Sequence, residues 1–406
     1  MGRRLFHFGP VPRAAPIAAG PCCLPKRAKA DPLAMVKIAV DAMGGDHAPG
    51  AVIDGALLAA GESGVEIVLV GQKDVLDREL RLRSVRESAV QTVPSSQVVA
   101  MGESPSAALK KRDSSLMVAF QLLKKGEIDA VVSAGNSGAM MATGMFVLGN
   151  LPLVDRPAIM VVVPTLLKGS VIIDAGANVE CKPHHLVQFG FMGSIYAEKV
   201  LGIPKPRVGV LSNGEEEGKG NELTRAACEQ LRSSPLHFIG YVEGRDISSG
   251  EVDVVVCDGF TGNVALKTME GTASFVLRVL KEGFRESYRT RLGYLLSRKA
   301  LRRAYARLDY AEYGGAPLLG LNGVGIVAHG GSRPKAIKNA IRVANETVSC
   351  DVNRHIVEVL ESLGEAEKGD RFSHKVWRQI RSRIEKISER PAAPGEGRET
   401  KSGGKG

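Results

Sequence analysis

A carboxylate and an imidazole stand side by side at Asp46 and His47, directly after Gly44-Gly45 and shortly beyond Asp41. Side chains of these two types move protons near neutral pH, and paired glycines let a backbone approach a ligand with no Cβ in the way. The apolar run Lys37-Ile-Ala-Val40 ahead of them reads as a buried strand, and Val52, Leu57 and Leu58 beyond Pro49 suit a helix packing back onto it. Ligands bind in the crevice beyond the strand ends of open α/β sheets, so this loop is candidate chemistry. For one such loop the plainer alternative is an Asp that caps a turn and a His that is only hydrogen-bonded.

The pattern returns along the chain. Apolar runs are followed by Gly135-Asn136-Ser137-Gly138, Asp174-Ala-Gly-Ala-Asn178, Asn213-Gly-Glu-Glu-Glu217, Asp258-Gly259-Phe-Thr261-Gly262-Asn263 and His329-Gly-Gly-Ser332. Each offers small residues and a polar side chain, expected together at one edge of a sheet, where backbone N–H groups at helix starts bind anions. No glycine is followed by Gly-Lys-Ser/Thr at P-loop spacing, and no G-x-G-x-x-G follows the first strand, so a small anion is expected rather than a nucleotide. No G-x-S-x-G elbow supports a covalent serine mechanism. Cys257 reads as a core thiol. Lys182-Pro183 separate Cys181 from His184 and His185, and the acidic run 215–217 reads as a solvated turn, so neither a metal nor a cofactor is expected.

The elements that must hold these loops alternate. Strand-like runs fall at 37–40, 66–70, 97–100, 130–133, 159–163, 170–174, 207–211, 252–257 and 325–328. Helical patterns fall at 106–125, 186–200, 223–231, 264–284 and 335–360, with shorter ones after the first, second and fourth strands. Residues 168–169 read as a hairpin turn between two paired strands. The alternation predicts an α/β fold with a doubly wound, mostly parallel sheet over residues 35–363. Scarce aromatics (5%) and 47 glycines fit many tight βα turns.

The net charge of +10 has an address. Residues 1–34 carry six Lys or Arg against one acid and residues 365–406 eleven against seven, which leaves +1 for 35–364. Within that body, 278–307 holds ten basic residues against Glu282 and Glu286, a local +8. A patch implies an acidic partner or surface at that place rather than general nucleic-acid binding. Leu292, Leu295 and Leu296 share one helical face and Leu301, Ala304 and Leu308 lie roughly opposite, so a break is expected near 297–299. Two helices would then meet at an apolar tip, 292–296. With Tyr294 in the tip and Arg285, Arg289, Arg291, Arg298, Lys299, Arg302 and Arg303 around it, the patch suits an anionic membrane surface. A dimer-packing hairpin with solvated arginines is the alternative. The leader 1–34, with six prolines and no apolar h-region, is not a secretory signal and reads as a disordered extension or a mis-assigned start. The tail 364–406 reads as a basic helix followed by disorder. No apolar run approaches the ~20 residues of a membrane span. Six cysteines without disulfide or zinc spacing point to a reducing cytoplasm.

Taken together, Ile38-Ala-Val-Asp-Ala-Met-Gly-Gly-Asp-His-Ala-Pro49, Ala134-Gly-Asn-Ser-Gly138, Asp174-Ala-Gly-Ala-Asn178, Lys219-Gly-Asn-Glu222, Asp258-Gly-Phe-Thr-Gly-Asn263 and Tyr313-Gly-Gly-Ala316 resemble the PlsX family of phosphate acyltransferases across residues 35–363. The resemblance implies an isocitrate/isopropylmalate dehydrogenase-like fold shared with phosphotransacetylase, carrying a protruding helical hairpin at about 270–312. It also implies a homodimer and transfer of a long acyl chain from acyl carrier protein to inorganic phosphate. The product, acyl phosphate, would feed a membrane glycerol-3-phosphate acyltransferase, with peripheral membrane association through the hairpin. Leader and tail fall outside it.

Phosphate is already a nucleophile, so direct attack on a thioester is the expected mechanism, and the protein needs mainly to position it. Asp46 and His47 are the acid/base candidates, with Lys267 a charge partner one turn into its helix. Asp41, Gly44, Gly45, Asn136, Ser137, Asp174, Asn178, Asn213, Asp258, Gly259, Thr261, Gly262, Asn263 and His329 are the candidate substrate contacts. A phosphotransacetylase-like acyl-CoA enzyme and a non-catalytic carrier-protein or lipid-binding module remain as alternatives.

Overall fold

The structure, a computed structural model, describes residues 35–367 apart from 62–63, 86–89, 168 and 309–312. Strands and helices alternate as β1 (Val36–Asp41), α1 (Gly50–Ala60), β2 (Val65–Gly71), α2 (Lys73–Leu82), β3 (Gln91–Pro94), α3 (Pro105–Ala108), α4 (Ser115–Lys125), β4 (Ala130–Ser133) and α5 (Ser137–Leu148). The chain continues through β5 (Ala158–Val163), β6 (Ser170–Ile173), α6 (Pro183–Lys199), β7 (Arg207–Leu211), α7 (Glu222–Arg232), β8 (His237–Val242) and β9 (Val254–Val256). It closes with α8 (Gly259–Gly283), α9 (Tyr288–Leu308), β10 (Ala316–Leu319), β11 (Val324–Val327), α10 (Pro334–Ser349) and α11 (Val352–Glu367).

The strands form one sheet of eleven, ordered β3-β2-β1-β4-β11-β10-β5-β6-β9-β7-β8. Strands β3 through β11 in that order are parallel, and so are β6, β9, β7 and β8. Three successive antiparallel pairings, β11 with β10, β10 with β5 and β5 with β6, separate the two blocks. An odd number of reversals points the blocks in opposite directions. The mostly parallel α/β sheet is as expected; the single edge for all candidate loops is not. The loops after β1, β4 and β11 leave one edge, and those after β6, β7 and β9 leave the other.

Both faces are covered, which is why the strands read as continuous Val/Ile runs. Successive strand side chains point to opposite faces. Ala39, Val131, Ile172 and Val255 join the core under α4 and α5. Their neighbours Ile38, Val40 and Val132 pack with α1 and α10, and Val171, Ile173, Val254 and Val256 with α6 and α11.

Several boundaries depart from expectation. The helix anticipated over 106–125 is two, because Ser104 and Ser114 each cap a separate start, accepting from Ala107 N at 3.3 Å and Met117 N at 3.2 Å. No strand forms at 97–100, where Gln97 makes one isolated bridge to Ser114, and the edge strand is the polar β3. The helix anticipated over 335–360 breaks at Asp351, whose φ is +49°. β8 and β10 were absent from the periodicity. The pairing of β5 with β6 is as expected.

The hairpin also differs. α9 is one continuous helix through 297–299, so no break occurs there and Leu292, Leu295 and Leu296 lie inside it rather than at a tip. The turn falls at 284–287, where the Phe284 and Tyr294 rings meet at 5.5 Å. Among the residues of α8, only Gly259 and Gly262 are buried, so most of this helix stands clear of the sheet. The expected leader and most of the tail lie outside the described residues.

Candidate active site

Three loops converge at the first edge. Asp41 ends β1 almost fully buried at 4% exposure. Its carboxylate accepts from the Ser133 hydroxyl at 2.7 Å and from Met43 N at 3.2 Å, and Ser133 Oγ in turn accepts from Gly135 N at 3.0 Å. Burial pushes the Asp41 carboxyl above its ordinary range, against those hydrogen bonds. Asp41 therefore ties the β1 and β4 loops together rather than facing a ligand. The close approach explains Gly44: a Cβ there would lie 2.6 Å from Asp41 Oδ2 and 2.9 Å from both Gly135 N and Ser133 Oγ. Gly45 turns the chain at φ +110° against Ala134 and Gly330. Asp46 N–H donates to the Gly330 carbonyl at 2.9 Å, bringing in the β11 loop.

Asn136 caps α5, accepting from Ala139 N at 2.9 Å. Its amide donates to the Met101 and Glu103 carbonyls at 2.7 and 2.9 Å, strapping residues 101–103 to this edge. Both polar atoms of its side chain are thereby occupied. Asp46, His47 and Ser137 are exposed, and no side-chain hydrogen bond or ion pair holds them among the described residues. His329 Nδ1 accepts from Gly331 N at 3.1 Å.

Sequence reasoning noted Ser332 only as the end of its glycine loop and passed over Arg333. The Ser332 hydroxyl is buried at 2% exposure with no hydrogen-bond partner among the described residues. Arg333, the N-cap of α10, is exposed and makes no ion pair among the described residues. The signal was the glycine pair ahead of a serine, an arginine and a proline at a helix start.

The second edge is closely hydrogen-bonded. Asp174, fully buried, accepts on Oδ1 from Ile159 N, Gly176 N and Ala177 N at 3.1, 3.0 and 2.9 Å. Its Oδ2 accepts from Asn178 N and Nδ2 at 2.6 and 2.8 Å. Burial raises its pKa despite these donors. The Asn178 side-chain NH₂ also donates to the Pro157 carbonyl at 2.8 Å, and the Asn178 backbone carbonyl accepts from Gly259 N at 2.7 Å. Asp258 caps α8, accepting from Thr261 N at 2.9 Å and Thr261 Oγ1 at 2.7 Å. A Cβ on Gly262 would lie 1.9 Å from the Asp174 carbonyl oxygen, so only glycine lets α8 seat here. Asn213 Oδ1 accepts from Gly220 N at 2.9 Å and closes its own loop.

Of the candidates on this edge Asn213, Asn263 and Lys267 are exposed. Lys267 stands more than two turns into α8, not one, and pairs with Glu270 at 2.8 Å. It leaves from the edge opposite Asp46 and His47, and no contact joins them among the described residues.

Neither cysteine of this region is poised to react. Burial, aided by Asp174 and Asp258, pushes the Cys181 thiol up to about 11 and Cys257 well above its ordinary value. Asp155, rather than Cys181, gathers with His184 and His185, their ligand atoms within 4.8 Å. His185 Nδ1, however, already accepts from Lys182 N at 3.1 Å.

The basic residues expected at the hairpin all fall on α9 or the turn before it. Leu292, Tyr294, Leu295 and Leu296 are exposed along it. Leu295, Leu296, Arg298, Lys299, Arg302 and Arg303 line an open concavity of about 630 Å³. No helix among the described residues is long and apolar enough to cross a membrane.

The family model described as "Fatty acid synthesis protein" matches residues 36–355. A phosphate acyltransferase of Geotalea daltonii is 53% identical over 327 residues, covering 80% of this chain and 94% of that protein. One from Heliobacterium modesticaldum is 54% identical over 315 residues, covering 77% and 94%. Among solved structures, a Streptococcus pyogenes phosphotransacetylase superposes with a TM-score of 0.52 at 14% identity, covering 77% of this chain and 94% of its own. The EutD phosphotransacetylase from Staphylococcus aureus gives 0.50 at 14%, covering 79% and 96%. At that identity the structures speak for the fold, which is the phosphotransacetylase-like one expected. With its family model spanning the α/β body and its relatives matched nearly end to end, the chain belongs to the fatty acid synthesis protein family of phosphate acyltransferases, the PlsX family.

Proposed function

We propose that this chain moves a long-chain fatty acyl group from acyl carrier protein to inorganic phosphate, giving acyl phosphate for phospholipid synthesis, and that the reaction runs at the first edge. The observation that carries phosphate is the buried, unpartnered Ser332 hydroxyl, followed in sequence by the exposed Arg333, which makes no ion pair among the described residues, at the start of α10. A guanidinium binds phosphate bidentately, and a helix N-terminus favours an anion. The loop holding both is joined to Asp46 through the Gly330 carbonyl.

A phosphate oxygen attacks the thioester carbonyl carbon, the C–S bond breaks from the tetrahedral intermediate, and the thiolate leaves with a proton. The N–H groups of Ser137 and Gly138, at the first turn of α5 and held by no hydrogen bond among the described residues, are suited to the oxyanion. Asp46 or His47 moves the proton. Asp41, Asn136, Asp174 and Asp258, whose side-chain oxygens and amides are committed within the fold, and Asn178, whose side-chain NH₂ is, hold loops and touch no substrate.

The proposal extends to a homodimer and to peripheral contact of a cytoplasmic protein with an anionic membrane, where glycerol-3-phosphate acyltransferase takes the product. Exposed Leu292, Leu295 and Leu296 beside the α9 arginines support the membrane contact. Exposed Phe275, Val276, Val279 and Leu280 on α8 support a second copy.

The test is incubation with palmitoyl-acyl carrier protein and with palmitoyl-CoA, each with and without phosphate, measuring acyl phosphate and free thiol. Phosphate-dependent acyl phosphate from the carrier-bound donor is expected. Thiol release without phosphate would instead mark a thioesterase.

A further inference from the structure

A carrier-bound thioester travels on a flexible arm, so the surface that holds the carrier stands off the reacting centre. The largest basic surface, α9, extends from the edge opposite Asp46. Nearer the proposed reaction edge is a smaller cationic patch. Residues 110–112 read Lys-Lys-Arg in the excursion between β3 and α4.

The middle lysine is committed: Lys111 Nζ pairs with Glu103 and donates to the Val98 carbonyl at 2.7 Å. Its neighbours are not. Lys110 and Arg112 are exposed and make no ion pair among the described residues. The nearby acid Asp113 is occupied by Ser96 N and Oγ at 2.8 and 2.5 Å. The Arg112 guanidinium lies 4.9 Å from the centroid of the Phe146 ring, itself 54% exposed. Phe146 belongs to α5, whose first residue is Ser137. Nine helical steps separate them, about 14 Å along the axis. The excursion is bound to the same edge by Asn136, and Pro105 packs at Gly138.

An exposed aromatic under a guanidinium, one free lysine nearby, and coupling to the helix that opens at the site together form an anchor for an acidic protein face. We propose that the acyl donor's acidic carrier protein docks on Lys110, Arg112 and Phe146, leaving α9 free for another anionic surface. This rests on the carrier-dependent reading above.

The test compares wild type with Lys110→Glu/Arg112→Glu and with Arg298→Glu/Arg302→Glu, using palmitoyl-acyl carrier protein and the small donor palmitoyl-pantetheine. Reversal at 110 and 112 is expected to raise KM for the carrier-bound donor about tenfold or more, flatten its salt dependence, and leave kcat and the small donor's turnover within twofold. The α9 reversal is expected to leave that KM unchanged. An unchanged KM in the first variant, or an equal loss with the small donor, overturns the docking assignment. Wild type that makes no acyl phosphate from the carrier-bound donor overturns the functional reading and this assignment with it.

Discussion

Replacing Asp174 with asparagine separates a scaffold from a substrate contact. Five N–H donors point at this buried carboxylate, three on Oδ1 and two on Oδ2. Asparagine keeps one acceptor oxygen, which can serve the Oδ1 set. It then turns an NH₂ toward Asn178 N and Nδ2, which sit 2.6 and 2.8 Å from the present oxygen. Two donors lose their acceptor at about 1–3 kcal/mol each, and the negative charge that the other three share is gone. With the site at 0% exposure, water cannot replace the acceptor. We expect a loss of about 3–5 kcal/mol, the range for breaking a buried charged network, read as a shift of the urea unfolding curve. In the folded fraction at low temperature, KM for phosphate should stay within twofold. A variant as stable as wild type to within about 1 kcal/mol, yet with KM for phosphate raised tenfold, would refute the scaffold role and return Asp174 to the site.

Four further outcomes follow from the first edge. Arg333→Ala should raise KM for phosphate about 10- to 100-fold, the worth of one charge-assisted pair, with little change in melting temperature, and Arg333→Lys should recover part of it. Gly44→Ala should cost about 2–3 kcal/mol and most of the activity, because its Cβ would press on Asp41 Oδ2, Gly135 N and Ser133 Oγ. Asn136→Ala should remove the α5 cap and both ties to the 101–103 strap, losing about 1–2 kcal/mol and raising protease sensitivity at the strap. The Asp41 carboxyl is raised above 3.8 by burial, so the folded chain binds its proton more tightly than the unfolded chain. Its contribution is fully present below that value and is lost as pH rises through the raised one. Wild-type stability should therefore fall relative to Asp41→Asn across this window, as measured by denaturant unfolding at a series of pH values.

Alternating apolar runs and glycine-rich loops made the α/β class legible, because strands buried on both faces must be continuous Val and Ile. The β5 and β6 pairing was legible for the same reason. Direction was not. Nothing in a short strand such as Ala316–Leu319 records that it runs against its neighbours, so loops alike in sequence were assigned to one edge and stand on two. Residue types also said less than their partners do. Asp174, Asp258 and Asn136 look like ligand contacts in the chain, but each spends its side-chain polar atoms on nearby groups of the fold, as Asp and Asn at turns and helix caps commonly do. Ser332 stood out only as the end of a glycine loop, and Arg333 carried no such signature. Their interest lies in lacking partners, which only three-dimensional packing reveals. The continuous α9 passes over the face switch because its side chains over 288–303 are mostly exposed, so neither apolar face must stay against a core.

The central claim, direct attack by phosphate with no acyl-enzyme, is tested by exchange of isotopically labelled free carrier protein into palmitoyl-acyl carrier protein. Direct attack predicts no exchange without phosphate and exchange once phosphate and the enzyme are both present, through reversal of acyl phosphate formation. Exchange in phosphate-free buffer would require a covalent acyl-enzyme and would contradict the account.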